Sequence, residues 1–185
     1  MQRRILATSL LTSSLLLLAL GGALLATPST PGSAPQGSEQ RDTQIRAVEL
    51  WYGVYEPGDV QIEEDRSNPG LKRQIQSKIK PPRNSSARVP LVGGTRFGIG
   101  YDLRGPRNGA VIALRHVRVL PPPGWLGPDG TARSMIATDN NLAVGAPDLF
   151  IGWTFGDRDP TGTWTLQVFE GSRLLLERRF EVYRP

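Results

Sequence analysis

The chain has 185 residues, a formal net charge of +5, 38% hydrophobic and 21% charged residues, no cysteine and one histidine. That length gives one ordinary domain plus a tail. The lack of cysteine excludes a disulfide scaffold, a thiolate metal site and a cysteine nucleophile, and a lone histidine excludes multi-histidine metal motifs and leaves any catalytic triad a single base.

The N-terminus opens with Arg3 and Arg4 and continues as an apolar run from Ile5 to Leu25. A basic head before an apolar middle reads as a secretory signal peptide over residues 1–26, cleaved after Ala26. The alternative is an uncleaved inner-membrane anchor over residues 5–26, long enough to cross ~30 Å of hydrocarbon. Either places the remainder in the bacterial envelope, periplasmic or secreted. Arg3 and Arg4 would leave with a cleaved leader, so the exported part is closer to neutral than +5. Its charge suits ordinary solubility and carries no nucleic-acid signature. Residues 27–44, TPSTPGSAPQGSEQRDTQ, hold too little apolar surface to offset chain entropy and read as a disordered linker.

From residue 45 to 185 the apolar runs are short and punctuated by Gly or Pro, which predicts an all-β, immunoglobulin-like antiparallel β-sandwich of seven or eight strands. The first strand covers 47–55. The cleanest, 95–103, puts Phe97, Ile99, Tyr101 and Leu103 on one face and Gly98, Gly100 and Asp102 on the other. Asn108 and Gly109 supply a tight turn, from which 109–120 returns as the partner of 95–103 until Pro121 to Pro123 end it. A strand at 149–155 precedes a second hairpin, 163–169 and 174–183, turning at Gly171 and Ser172. Leu175 and Phe180 break the alternation there, and a bulge near Glu177 and Arg178 would reconcile them. Weaker strands fall at 74–79, 88–92 and 137–144.

These segments carry a resemblance. WYGVYE at 51–56, RFGIGYDLRG at 96–105, the Pro-Gly loop at 122–125, FIGWTF at 150–155 and GTWTLQVFEGSRLLLERRFEV at 162–182 resemble, in order and spacing, the bacterial domain-of-unknown-function 3859 family. The resemblance implies an exported immunoglobulin-like domain with no established activity and no catalytic residues to carry over.

Candidate sites are sparse. His116 lacks a nucleophile elbow nearby and reads as a partly exposed strand histidine. Gly98-x-Gly100 lacks the third glycine and the helix of a nucleotide loop, and reads instead as room for a neighbouring aromatic to lie flat on the sheet. The runs 139–141 and 157–159 read as turns rather than calcium ligands, and Glu63, Glu64 and Asp65 as a solvated loop. Trp51, Trp153 and Trp164 read as core, and Trp125 as the aromatic most open to solvent, either exposed or capping an open end of the sandwich. Lys72, Arg73, Lys78, Lys80, Arg83 and Arg88 form a local basic excess. It reads either as an edge strand kept from aggregating by lysine and proline, the preferred reading, or as a surface for an anionic envelope partner.

No cofactor and no metal are expected. The functional expectation is a non-catalytic binding module acting on an envelope protein or anionic envelope surface. The alternatives are a shallow-groove hydrolase of envelope glycans built on Asp102, Asp148, Asp157 and Asp159, or a purely structural envelope module.

Overall fold

The structure, a computed structural model, describes residues 44–185 apart from Arg66, Ser67, Pro69 and Asp157, and only the backbone of 74–77. The leader at 1–26 and the linker up to residue 43 lie outside the described residues. The described part falls within one compact unit, Gln40–Pro185. It contains no helix.

In chain order the strands are β1 (Arg46–Val54), β2 (Asp59–Glu64), β3 (Lys72–Ser77), β4 (Arg88–Pro90), β5 (Arg96–Arg104), β6 (Val111–Val119), β7 (Trp125–Leu126), β8 (Ala132–Arg133), β9 (Met135–Ala143), β10 (Phe150–Thr154), β11 (Gly162–Glu170) and β12 (Arg173–Tyr183). Eight of them build the sandwich. One sheet has the order β1-β5-β10 and the other β4-β12-β11-β6-β9, while β2-β3 and β7-β8 are separate two-stranded hairpins. The expected strands fall in the sandwich except the one at 74–79, which is β3 of the first hairpin. The hairpin strands β2, β7 and β8, rich in polar residues or very short, were not expected.

The core forms where alternating apolar side chains of the two sheets meet. Phe97, Ile99, Tyr101 and Leu103 of β5 are buried, as are Trp164, Leu166 and Val168 of β11 and Phe180 and Val182 of β12. Phe97 packs edge-on against Trp164 and Phe180, with ring centroids 5.8 and 5.0 Å away. Trp164 satisfies its indole N–H by donating to the Pro160 carbonyl at 2.9 Å.

Three local expectations are corrected. The strand after Asn108-Gly109 does not pair with β5. Both edges of β5 are occupied, by β1 and β10, so the chain crosses to the other sheet, where β6 pairs with β11 and β9. The bulge in the last hairpin lies not at Glu177 and Arg178 but at Leu175, which is skipped between the pairs Val168↔Leu176 and Phe169↔Leu174. That extra residue lets both Leu175 and Leu176 pack on the core. Trp51 is not a core residue. The β1 register shifts between Glu49 and Trp51, so Leu50 is extra and the alternation from Ala47 and Glu49 flips. Tyr52 then turns inward, while Trp51 lies on the outer face, paired with Gly100.

Of the β5 glycines, Gly100 does what the spacing suggested, whereas Gly98 makes room for backbone instead of an aromatic. A β-carbon at Gly100 would overlap the Trp51 indole, and one at Gly98 would meet the β10 backbone at Ile151 and Gly152. Gly100→Val should therefore dislodge Trp51 and lower stability by about 1–3 kcal/mol, whereas Trp164→Ala should cost about 3–5 kcal/mol. Urea denaturation followed by tryptophan fluorescence and circular dichroism reads both. A neutral Gly100→Val would contradict the close packing described.

Candidate functional site

A cleft of about 650 Å³ opens beside the core, lined by residues of β6, β7, β9, β10, the β2–β3 hairpin and the loop residues Asp148, Leu149, Gly156, Arg158 and Asp159. Its origin lies in the unequal widths of the sheets, three strands against five. On β6, the inward positions run Leu114, His116, Arg118, and on β9 they run Ile136, Thr138, Asn140; His116 stands opposite Thr138 across the β6–β9 ladder. Leu114 and Ile136 are buried in the core, whereas Thr138 and Asn140 meet the hairpin.

The hairpin is fastened at both ends. At its base Glu56 and Lys80 form a backbone bridge and a side-chain ion pair at 3.3 Å. At its tip Asn68 donates to the Ala137 carbonyl at 2.9 Å and to the Asp65 carboxylate at 3.1 Å. Thr138 donates its hydroxyl to Asp65 at 3.4 Å, and Arg73 donates to the Asn140 side chain. Gly70, with φ +82°, lies against Pro128, where a β-carbon would overlap the proline ring. A strand pair that exposes every residue of β2 thus lies across the cleft as a strap.

Within the cleft the buried polar groups are held by partners. The Tyr101 hydroxyl and His116 Nε2 share a hydrogen bond of 2.8 Å. His116 is only 6% exposed. This corrects the expectation of a partly exposed strand histidine: the inward parity of β6 places it under the strap. Burial first, then the charges of Arg118 and Arg73, push its pKa down to about 3. Burial raises the Tyr101 phenol above its ordinary range. Arg118, half-buried, donates Nε to the Gly152 carbonyl at 2.9 Å and Nη1 to Thr138 at 3.4 Å. Desolvation lowers its pKa to about 10, against the opposing charge of Asp65, so it stays cationic at neutral pH. Asp159 is 6% exposed and one of its oxygens accepts the Trp153 indole N–H at 2.9 Å and the Gly156 amide at 2.8 Å. Burial raises its pKa despite those two donors. Among the described residues no group of three or more His, Asp or Glu is placed to hold a metal ion.

Several sequence readings change at this site. Asp65 is buried, not part of a solvated run, because the hairpin tip folds it onto Thr138; Glu63 and Glu64 are exposed on β2 rather than in a loop. The run 139–141 belongs to β9, not to a turn: Asp139 pairs outward with Arg115 at 2.9 Å while Asn140 faces the strap. Asp159 does close a turn, and Asp157 lies outside the described residues. Of the carboxylates named for a hydrolase, Asp148 and Asp159 line the cleft, whereas Asp102 is paired with Arg104 at 3.3 Å on β5, away from the cleft.

The basic segment is dispersed. Lys72 and Arg73 line the cleft. Lys78 pairs with Asp59 at 3.1 Å and Lys80 with Glu56. Arg88 stacks over the Tyr183 ring at 4.9 Å, and Arg83 is exposed in the loop before β4. Trp125 is half-buried at the cleft wall, packed against the core with Arg133 over its ring at 5.5 Å. The sequence missed Asp65, Arg118, Thr138 and Asn140 as site residues. The one legible signal was the pair His116 and Arg118 at inward positions between Leu114 and Leu120.

Because the chain has one histidine, its ring signal is unambiguous. The His116 ring resonances should stay fixed from pH 8 to pH 5 in a proton NMR titration of the folded protein. An imidazole neutral when folded but ordinary when unfolded gives stability that is full above pH 6.5 and falls as the pH drops toward about 3, at up to about 1.4 kcal/mol per pH unit. His116→Gln should flatten that slope between pH 6.5 and 5 in urea denaturation. A ring titrating near pH 6.5 would contradict the buried, neutral assignment.

No curated protein matches the chain. Among solved structures it is similar to the crystal structure of an immunoglobulin-like protein (PA1606) from Pseudomonas aeruginosa, at 27% identity and a TM-score of 0.54, covering 77% of this chain and 98% of that one. Residues 44–182 match the family described as Domain of unknown function (DUF3859), in agreement with the resemblance carried by the strand segments. The chain therefore belongs to the DUF3859 family, and its domain is immunoglobulin-like.

Proposed function

We propose that the protein is an exported module of the bacterial envelope that works by binding, without catalysis, and that its ligand seat is the cleft beneath the β2–β3 strap. The observation that carries this reading is the preorganised polar lining of a cleft of about 650 Å³. Arg118, Asp65 and Asp159 are each fixed by two named partners, so their orientation is set before a ligand arrives. That volume lies within the range typical of small-molecule sites. The groups best placed for proton transfer are poorly suited to it. An imidazole with a pKa near 3 is a weak base at neutral pH, and a phenol with a raised pKa is a weak nucleophile. The leader-like residues 1–26 support export.

The rival reading, a hydrolase of envelope glycans, draws on Asp148 and Asp159 lining the same cleft. It suffers from Asp159 being engaged by the Trp153 indole and the Gly156 amide.

The four tryptophans supply built-in reporters. Trp125 and Trp153 line the cleft, whereas Trp51 lies on the outer face of the three-stranded sheet. A ligand found by screening amphipathic small molecules should move the indole N–H resonances of Trp125 and Trp153 and leave Trp51 in place. Asn140→Phe, which fills the cleft, should abolish those shifts. Generic ester, glycoside and phosphate substrates should not be turned over. Turnover that Asp148→Asn or Asp159→Asn removes would replace the binding reading with the hydrolase.

A further inference from the structure

We propose that the cleft takes a small amphipathic anion: a carboxylate-like head held between Arg73 and Arg118, with an apolar or aromatic body lying along the tryptophan wall. This rests on the cleft being the ligand seat.

The head-group assignment follows from how the cations are held. Arg118 is anchored by the Gly152 carbonyl and the Thr138 hydroxyl, and Arg73 by the Asn140 side-chain oxygen. These acceptors are neutral and fix both guanidinium groups; neither arginine forms an ion pair within 4 Å among the described residues, although the charge of Asp65 acts on Arg118. Lys72, next to Arg73 on β3 and exposed, also borders the cleft. Asp65, whose charge acts on Arg118, bonds Asn68 and Thr138. Arg73 and Arg118 thus border the cleft beside one buried carboxylate, while Glu63, the cross-strand partner of Arg73, is exposed on β2. A planar guanidinium that is already oriented suits a carboxylate, which accepts two parallel N–H bonds. His116 between them is neutral and adds no charge of its own.

The body assignment follows from the rest of the lining. Trp125, Trp153, Leu71, Leu142 and Leu149 supply apolar surface to the cleft, and Phe150 adds its ring from the other face of β10. Trp153 is held by Asp159 and packs against Trp164 at 5.5 Å, so it presents a rigid ring. Asp148 and Asp159 also line the cleft, two acids against the single Arg158 of that loop, which disfavours a second anionic group. A single anionic head on an apolar body matches this polarity.

Three probes of one shape separate the contributions: 4-phenylbutyrate, 4-phenylbutan-1-ol and 4-phenylbutylamine, each titrated into the purified protein while the four indole resonances are followed. The carboxylate should bind about tenfold or more tightly than the alcohol, and the amine least. The preference should collapse in Arg73→Gln. It should also collapse in Arg118→Gln, provided the buried Trp164 resonance shows that variant folded; Arg73→Gln decides the matter if it is not. Inorganic phosphate alone should bind far more weakly than 4-phenylbutyrate. Alcohol or amine binding as tightly as the carboxylate, with Trp125 and Trp153 shifting, would overturn the anion assignment and leave the cleft as the ligand seat. Phosphate matching 4-phenylbutyrate would overturn the amphipathic body. Absence of any shift at Trp125 and Trp153 with every probe would overturn the anion assignment and the cleft reading together.

Discussion

Two sheets of unequal width govern this domain. A three-stranded sheet has to cover a five-stranded one, and apolar side chains fill the space only where strands stand opposite each other. Beyond that region the inner positions of β6 and β9 turn polar, and a hairpin from the β1–β4 connection, not a strand of the opposing sheet, meets them. The transition is abrupt. Ile136 is fully buried in the core, while Thr138, the next inward residue of β9, already bonds the hairpin's Asp65.

Burying these polar groups is costly, and the structure offsets the cost by pairing each of them. Arg118 shows this most clearly. It leaves solvent far enough for its pKa to fall, yet one of its hydrogen bonds reaches the Gly152 carbonyl on β10. That bond occupies an acceptor on the outer edge of the three-stranded sheet and ties the two sheets together where apolar contact ends. The opposite side of the sandwich is closed by another arginine: Arg178 of β12 grips Glu49 of β1 with two hydrogen bonds and lies 4.1 Å over the Tyr52 ring. One arginine closes a seam and the other borders an opening.

Much of the sandwich was legible in the sequence because its central strands keep strict alternation. Phe97–Leu103 and Trp164–Val168 declare a buried face residue by residue, and Gly98 and Gly100 declare a close approach on the other. What failed were features set by a single extra residue or by pairing at a distance. Leu50 flips the parity of β1 and carries Trp51 outward, and nothing in the local pattern marks it. Asn108-Gly109 makes a real turn, with Gly109 at φ +78°, but a turn does not say which sheet the next strand joins. The cleft was least legible. Asp65 and Arg73 come from the hairpin, His116 and Arg118 from β6, Thr138 and Asn140 from β9, and Trp153 and Asp159 from the region of β10. Each looks like an ordinary solvent-facing side chain until the fold brings them together. Asp65 stood in an acidic run and Arg73 in a basic one, so composition pointed both toward solvent.

The cleft exists only if the strap is seated on β9 in the free protein. The most direct measurement is the nuclear Overhauser effect between the side-chain amide of Asn68 and the backbone protons of Ala137 and Thr138 in the unliganded protein. Asn68 donates to the Ala137 carbonyl at 2.9 Å, so clear cross-peaks are expected. Missing cross-peaks, with a single motionally averaged amide signal for Asn68, would mean that the hairpin does not rest there and that the cleft it roofs is not a formed site.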